Sequence, residues 1–182
     1  ETYLPAFRTL VVDAGVYSVM GAYNLFRDYP CCANPELFSI LRDEWGFKGY
    51  IVSDCWAISD FYRFTKVAGD AAEAAAQAVK AGTDLECGVD YKHLVTALER
   101  GLLTEDDINR AVTRVFTARF RLGMFDPDEM VPYAGIPYFV NCSDYNNSLA
   151  RNAAAKSIVL LKNSGNILPL GKTIKTIAVI GP

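Results

Sequence analysis

The order of helix and strand signals between residues 4 and 122 limits the possible folds more than any other feature of the chain. Leu4, Phe7, Leu10 and Val11 fall on one helical face, and Gly15 ends that helix, predicted over residues 4–14. Residues 16–23 read as a strand, and residues 24–32 as a turn-rich loop. Asn34-Pro35-Glu36 combines a capping side chain, proline at the first helical position and an acid in the first turn, so a helix starts there. Its apolar face is Leu37, Ile40, Leu41 and Trp45. The run Tyr50-Ile51-Val52 is the next strand. An alanine-rich helix over 68–81 stops at Gly82, residues 83–87 hold a short third strand, and helices over 91–100 and 105–122 follow. Thr104 caps the last helix, which is expected to bury Ile108, Val112, Val115, Phe116 and Phe120. Such alternation specifies a parallel sheet with crossover helices, hence an α/β barrel or a doubly wound fold. Three strands do not close a barrel, so a preceding portion of the domain is expected.

In folds of this kind catalytic groups sit beyond the C-terminal ends of the strands. The strand Tyr50-Ile51-Val52 delivers Ser53-Asp54 there, followed at once by Cys55 and Trp56. A carboxylate beside an indole suits a sugar site, the acid for chemistry and the ring as an apolar face. In the purely structural reading Asp54 caps the segment that follows. Met20 and Tyr23 flank the end of the preceding strand, with Asn24 opening its loop, and a parallel sheet puts them on the same rim as Asp54. A tyrosine so placed can donate a hydrogen bond to the carboxylate and hold it ionised. The structural alternative makes Met20 core filler and Tyr23 a loop anchor. Asp84 and Glu86, at the end of the third strand, are expected to be structural.

Composition excludes several classes. With 51% hydrophobic and 12% aromatic residues among 182, the chain can build a core and is not disordered. A net charge of -3 without a basic stripe argues against nucleic acid and anionic membranes as partners. No apolar run approaches the ~20 residues of a membrane span. Cys31, Cys32, Cys55, Cys87 and Cys142 show no CxxC spacing, so neither a zinc ribbon nor a full disulfide framework is indicated. His93 is the single histidine, which leaves no room for a His-based metal site or a local Ser-His-Asp triad. No metal and no cofactor are expected.

Gly171-Lys172-Thr173 superficially suggests a phosphate loop, but five residues separate Gly165 from Gly171 and a strand, not a helix, is expected next. Asn141-Cys142-Ser143 and Asn146-Asn147-Ser148 match the glycosylation acceptor pattern, which is common by chance. The prolines and aromatics of 123–142 read as an ordered linker. Ser143 or Asp144 then caps a helix over 145–162, with Ile158-Val159-Leu160-Leu161 buried, and 173–180 is expected to be the first strand of a second domain. The chain opens on Glu1 without an initiator Met or a signal peptide and closes on Pro182 as that strand ends, so both ends read as cuts in a longer protein.

Several motifs in this order resemble glycoside hydrolase family 3, the β-glucosidase and β-xylosidase family, over essentially the whole chain. They are Met20-Gly21-Ala22-Tyr23-Asn24, Leu41-Arg42-Asp43-Glu44-Trp45-Gly46-Phe47-Lys48-Gly49, Val52-Ser53-Asp54, Ala81-Gly82-Thr83-Asp84-Leu85 and Arg119-Phe120-Arg121-Leu122-Gly123-Met124-Phe125. Ser157-Ile158-Val159-Leu160-Leu161-Lys162-Asn163, Leu168-Pro169-Leu170 and Ile177-Ala178-Val179-Ile180-Gly181-Pro182 continue the series. The resemblance implies the C-terminal part of a (β/α)8-type (TIM) barrel over 1–123, a linker over 124–142, and the first helix and strand of an α/β sandwich domain over 143–182. It implies Asp54 as catalytic nucleophile, with Met20 and Tyr23 lining the sugar subsite and Trp56 as a further substrate contact. The acid/base, a glutamate of the second domain in two-domain members, is expected beyond Pro182. The implied activity is that of a retaining exo-β-glycosidase releasing terminal glucose or xylose from β-linked oligosaccharides or glycosides. The alternative is a non-catalytic carbohydrate-binding relative of the same fold. Cys55 stands where many β-glucosidases carry tryptophan, and Ser-Asp-Cys is more similar to the β-xylosidase side of the family. Family habit implies a periplasmic or secreted protein; the sequence leaves the oligomeric state open. A part-barrel exposes strand edges and apolar faces, so residues 1–182 alone are expected to be inactive and poorly folded.

Overall fold

The computed structural model describes residues 2–180, which divide into two compact units, 1–131 and 132–182. The division falls inside the stretch expected to be a linker, 124–142. In the first unit α1 (Leu4–Arg8) continues as a π-turn through Thr9–Asp13, and Gly15 follows in the left-handed region, φ 67°. Strand β1 (Ser18–Gly21) comes next. A small antiparallel hairpin, β2 (Leu25–Phe26) and β3 (Tyr29–Pro30), occupies the loop expected over 24–32. The same sequence of events then repeats: α2 (Pro35–Ser39), a π-turn over Ile40–Glu44, Gly46 at φ 69°, and β4 (Tyr50–Ser53). Asn34 caps α2 as its sequence predicts, accepting from the Leu37 amide at 2.9 Å.

Strands β1 and β4 pair in parallel, Ser18 opposite Tyr50 and Gly21 opposite Ser53. A single parallel bridge joins Val52 to Leu85, so the third expected strand shrinks to one paired residue. Gly49 lets the β1 side approach: a Cβ there would collide with the Tyr17 carbonyl. Short α3 (Asp60–Arg63) and the alanine-rich α4 (Ala71–Ala81) follow; Asp70 caps α4 through the Glu73 amide at 2.9 Å. A 3₁₀ turn (Asp90–His93) leads into α5 (Leu94–Glu99), and α6 (Glu105–Arg121) begins with the Thr104–Asp107 capping box.

The core of this unit lies in three patches. Val11, Phe38, Leu41, Phe47 and Ile51 pack under the sheet; Cys32, Ile58, Phe61, Ala74 and Ala78 lie under the loop that follows β4. Ala72, Ala76, Ala97 and Leu103 join α4 to α5. Not every face expected to be buried is covered. Across α1 and the π-turn that continues it only Val11 is, while Phe7 and Leu10 are about half exposed. On α6 the buried residues are Ala111, Val115 and Ala118, and Val112, Phe116 and Phe120 face outward. Alanines allow the closest helix-to-sheet approach, and the larger side chains next to them are turned away. Phe125 packs on Phe116 and Phe120 instead, with centroids 6.0 and 4.7 Å apart.

In the second unit α7 (Asp144–Ser157) is capped by Ser143. It ends five residues earlier than expected: Ile158-Val159-Leu160-Leu161 is neither helical nor buried, Leu161 being 92% exposed. Helical spacing fails there, because four consecutive apolar residues cover every side of a helix rather than one. Nor do residues 173–180 form a strand. A strand exists by pairing, and among the described residues none pairs with this segment.

Candidate active site

Three parallel segments converge on Asp54, and the sequence places a chemically useful group at the end of each. Asp54 follows β4 directly, half-buried, with its amide donating to the Gly21 carbonyl of β1 at 2.9 Å. That bond continues the parallel ladder past its last strand residue. Its carboxylate Oδ1 accepts from the Cys55 amide at 2.7 Å, which fixes the side chain against its own backbone turn. The next turn is closed by backbone alone, the Asp54 carbonyl accepting from the Ala57 amide at 3.1 Å, and not by the Asp54 side chain as the structural reading had it. The carboxylate itself is held by the Cys55 amide through Oδ1 only, with the Tyr23 hydroxyl in contact with the acid group.

Tyr23 lies two residues past β1. Its hydroxyl donates to the Cys55 carbonyl at 2.5 Å, and lies in contact with the Asp54 carboxylate as well. The tyrosine therefore holds the backbone that carries the nucleophile candidate, and stands beside its acid group. Shielding from water, the nearby Asp54 charge and contact with that carboxylate all push the phenol above its ordinary value. Met20, in β1 opposite Val52, is 57% exposed, and Trp56 is 51% exposed, so neither is core filler. The structure thus brings Met20, Tyr23, Asp54 and Trp56 to one edge of the parallel pair, the end toward which both strands run.

The segment after α4 supplies what the sequence reading missed. The Asp84 and Leu85 amides both donate to the Ile51 carbonyl, and the Ser53 amide donates to the Leu85 carbonyl at 2.9 Å. The Ser53 hydroxyl, buried, accepts from the Cys87 amide at 3.0 Å, and the Trp56 amide donates to the Cys87 carbonyl at 2.7 Å. Cys55 and Cys87 form a disulfide across a separation of 32 residues. Five scattered cysteines without a spacing pattern gave no basis for choosing that pair. The signal that could have found it is positional: each cysteine stands just beyond the end of a neighbouring parallel segment.

Below the rim the acids are structural, as expected. Asp84 is buried and accepts from Arg42 at 2.8 Å, Arg114 at 2.9 Å and the Ile51 amide at 2.9 Å, tying the π-turn after α2, α6 and β4 together. Burial pushes its carboxyl up against the pull of the Ile51 amide and the two guanidiniums, and burial likewise lowers Arg42. Glu86 accepts from the Asp90 and Tyr91 amides, and Asp90 in turn receives Ser59 Oγ at 2.5 Å and Tyr62 at 3.1 Å. Cys32 is fully buried beneath Gly21, and burial pushes its thiol up to about 12. That thiol stays inert despite its closeness to Asp54. A cavity of about 570 Å³ opens elsewhere, lined by Tyr29, Val67, Gln77, Lys80 and Leu102 among others, and includes none of the rim residues. Among the described residues no helix is long and apolar enough to cross a membrane.

Parallel strands joined by helices, with a carboxylate and an exposed aromatic pair at their C-terminal rim, define an α/β domain of the kind that carries its site on the rim of a barrel. Residues 1–118 match the glycosyl hydrolase family 3 N terminal domain, and the chain belongs to that family. That domain is a TIM-barrel-type α/β fold, of which this chain holds a part. A xylan 1,4-β-xylosidase of Xylanibacter ruminicola is 47% identical over all of this chain and 22% of its own length. Among solved structures, a GH3 exo-β-xylosidase (XlnD) in complex with a xylobiose aziridine activity-based probe superposes with TM-score 0.78 at 37% identity, covering 96% of this chain and 23% of that one. A β-glucosidase from Listeria innocua in complex with glucose gives TM-score 0.72 at 33% identity, over 92% and 23%. The chain therefore spans about a quarter or less of the proteins that it matches.

Proposed function

We propose that the protein carrying this chain is a retaining exo-β-glycosidase, with Asp54 as nucleophile and terminal β-xylosyl residues as the preferred substrate. The observation that carries this reading is the Asp54 carboxylate, held by the Cys55 amide on the strand-end rim beside Tyr23, Met20 and Trp56. The Asp54 oxygen that is not bound to the Cys55 amide attacks the anomeric carbon. The bond to the leaving oxygen breaks, and its electron pair is taken up with a proton from a second carboxylic acid, giving a glycosyl ester on Asp54. That acid, deprotonated by the transfer, removes a proton from water as the water attacks the same carbon, and Asp54 leaves with configuration retained. The acid/base is expected beyond Pro182. Met20 and Trp56 offer exposed apolar surface to the sugar ring, and Tyr23 keeps the Cys55 carbonyl in place.

Xyloside preference is supported by the Xylanibacter relative and by the Cys55–Cys87 disulfide, which fills the place a tryptophan takes in many β-glucosidases. The same disulfide supports an oxidising address, periplasmic or secreted. The segment 143–182 is read as the start of a second α/β domain.

The test uses the full-length protein. Wild type and Asp54→Asn are each incubated with 2-fluoro-xyloside and 2-fluoro-glucoside inactivators, and the label is mapped by peptide mass. Label on the Asp54 peptide of wild type alone, faster with the xylo reagent, is the expected result. No label and no turnover of either aryl glycoside would favour a sugar-binding relative without catalysis.

A further inference from the structure

We propose that the Cys55–Cys87 disulfide and its hydrogen-bonded neighbour Ser53 form a positioning device for Asp54, so that breaking the cross-link lowers turnover rather than substrate binding. This rests on reading Asp54 as the nucleophile. Residues 54–56 make a turn that the backbone alone holds poorly. Trp56 adopts φ 68°, a left-handed conformation that costs energy for a bulky side chain and persists only where its surroundings impose it. Those surroundings are the 85–87 segment. It is tied to the turn through Cys87 N–H to Ser53 Oγ (3.0 Å), Trp56 N–H to the Cys87 carbonyl (2.7 Å) and the disulfide between them. On the other side, Tyr23 holds the Cys55 carbonyl.

Cys55 is the common point of these ties. Its amide orients the Asp54 carboxylate, its carbonyl receives Tyr23, and its sulfur is bound to Cys87. A shift of Cys55 therefore moves the attacking oxygen directly. Displacements of about 1 Å at a reacting group cost on the order of 100-fold in rate. Met20 stands in β1, outside this turn, and Trp56 keeps its own amide bond to the Cys87 carbonyl when the sulfurs part, so binding is much less affected.

Reduction is a balanced exchange: a dithiol gives up two electrons and two protons and becomes a cyclic disulfide, while Cys55–Cys87 takes them up as two thiols. The experiment uses the full-length protein with dithiothreitol as reductant, below the melting temperature of each form. Thiols are mapped by alkylation and peptide mass. Measured alongside are kcat, KM and the rate of labelling by 2-fluoro-xyloside. The double variant Cys55→Ala/Cys87→Ala covers the case in which the bond resists reduction in the folded protein, and Asp54→Asn is run in parallel.

Appearance of thiols at Cys55 and Cys87 should accompany a loss of kcat and labelling rate by about 10- to 100-fold. KM should change less than about threefold, and reoxidation should restore activity. The double variant should be slow and indifferent to the reductant. Ser53→Ala should share the kcat loss in milder form, and Ser53→Thr, which keeps the acceptor, should recover part of it. Mapped thiols, or a double variant, with wild-type kcat and only a lower Tm would overturn the proposal, leaving a cross-link for stability alone. Turnover surviving in Asp54→Asn would instead overturn the nucleophile reading, whatever the disulfide does.

Discussion

Tyr23 and Asp84 show how differently a single polar side chain can serve a site. Tyr23 holds the Cys55 carbonyl with one exposed hydrogen bond, and shielding and the Asp54 charge push its phenol above its ordinary value. Because the raised value keeps it neutral, Tyr23 stays a donor through the whole neutral range. The pH dependence of kcat should then show no alkaline limb from this residue below about pH 10. Tyr23→Phe should lower kcat by about 5- to 10-fold, the equivalent of one ordinary hydrogen bond, with an unchanged circular dichroism spectrum. Asp84 is the opposite case. It is fully enclosed and partnered by two guanidiniums and a backbone amide, and the buried Nε of Arg42 already lacks a partner among the described residues. Asp84→Ala would leave two cations facing each other in a poorly hydrated space. Loss of about 3–5 kcal/mol in denaturant unfolding of the full-length protein is expected.

The recurring element is a helix that widens into a π-turn, a left-handed glycine and a parallel strand, seen twice before Asp54 is reached. What brings the two strands into register is close approach. Gly49 sits against the Tyr17 carbonyl, and the Tyr50 amide donates to that same oxygen at 3.2 Å. Gly49→Ala cannot be relieved by rotating a side chain, since the obstacle is backbone. About 1–3 kcal/mol of destabilisation is expected, with a matching fall in activity as β4 shifts, and a thermal scan with an aryl glycoside assay checks both. α6 is positioned by small residues at Ala111 and Ala118, and its Arg114 reaches Asp84.

On the scale of the molecule, two units carry very different amounts of core. Among the described residues the first buries twenty-one hydrophobic ones, all before residue 119; helix α7 in the second buries none, and Ile158, Val159, Leu160 and Leu161 are all more than half exposed. An apolar surface of this extent is a binding face for further chain or an aggregation liability. Expressed alone, residues 1–182 should bind 8-anilinonaphthalene-1-sulfonate and unfold over a broad temperature range. A single sharp calorimetric transition without dye binding would contradict this.

Local signals in the sequence determined most of the elements. The Asn34 and Thr104 caps, the glycine stops and the Tyr50-Ile51-Val52 run each act within a few residues, and each produced the element that its chemistry dictates, while the alanine-rich helix expected from residue 68 starts only at Ala71, behind an Asp70 cap that the reading passed over. The rim position of Met20, Tyr23 and Asp54 was legible as well, because alternation of helix and strand forces the strands to run parallel and to end together. What the tertiary structure alone decided involves partners distant in sequence. The Cys55–Cys87 bond, the Ser53–Cys87 contact and the Asp84 clamp each join residues more than 29 apart, and Tyr23 donates to a carbonyl 32 residues away. The exposure of Phe116, Phe120 and the 158–161 run belongs here too: spacing shows that a face is apolar, while only the neighbours that are present determine whether it is covered.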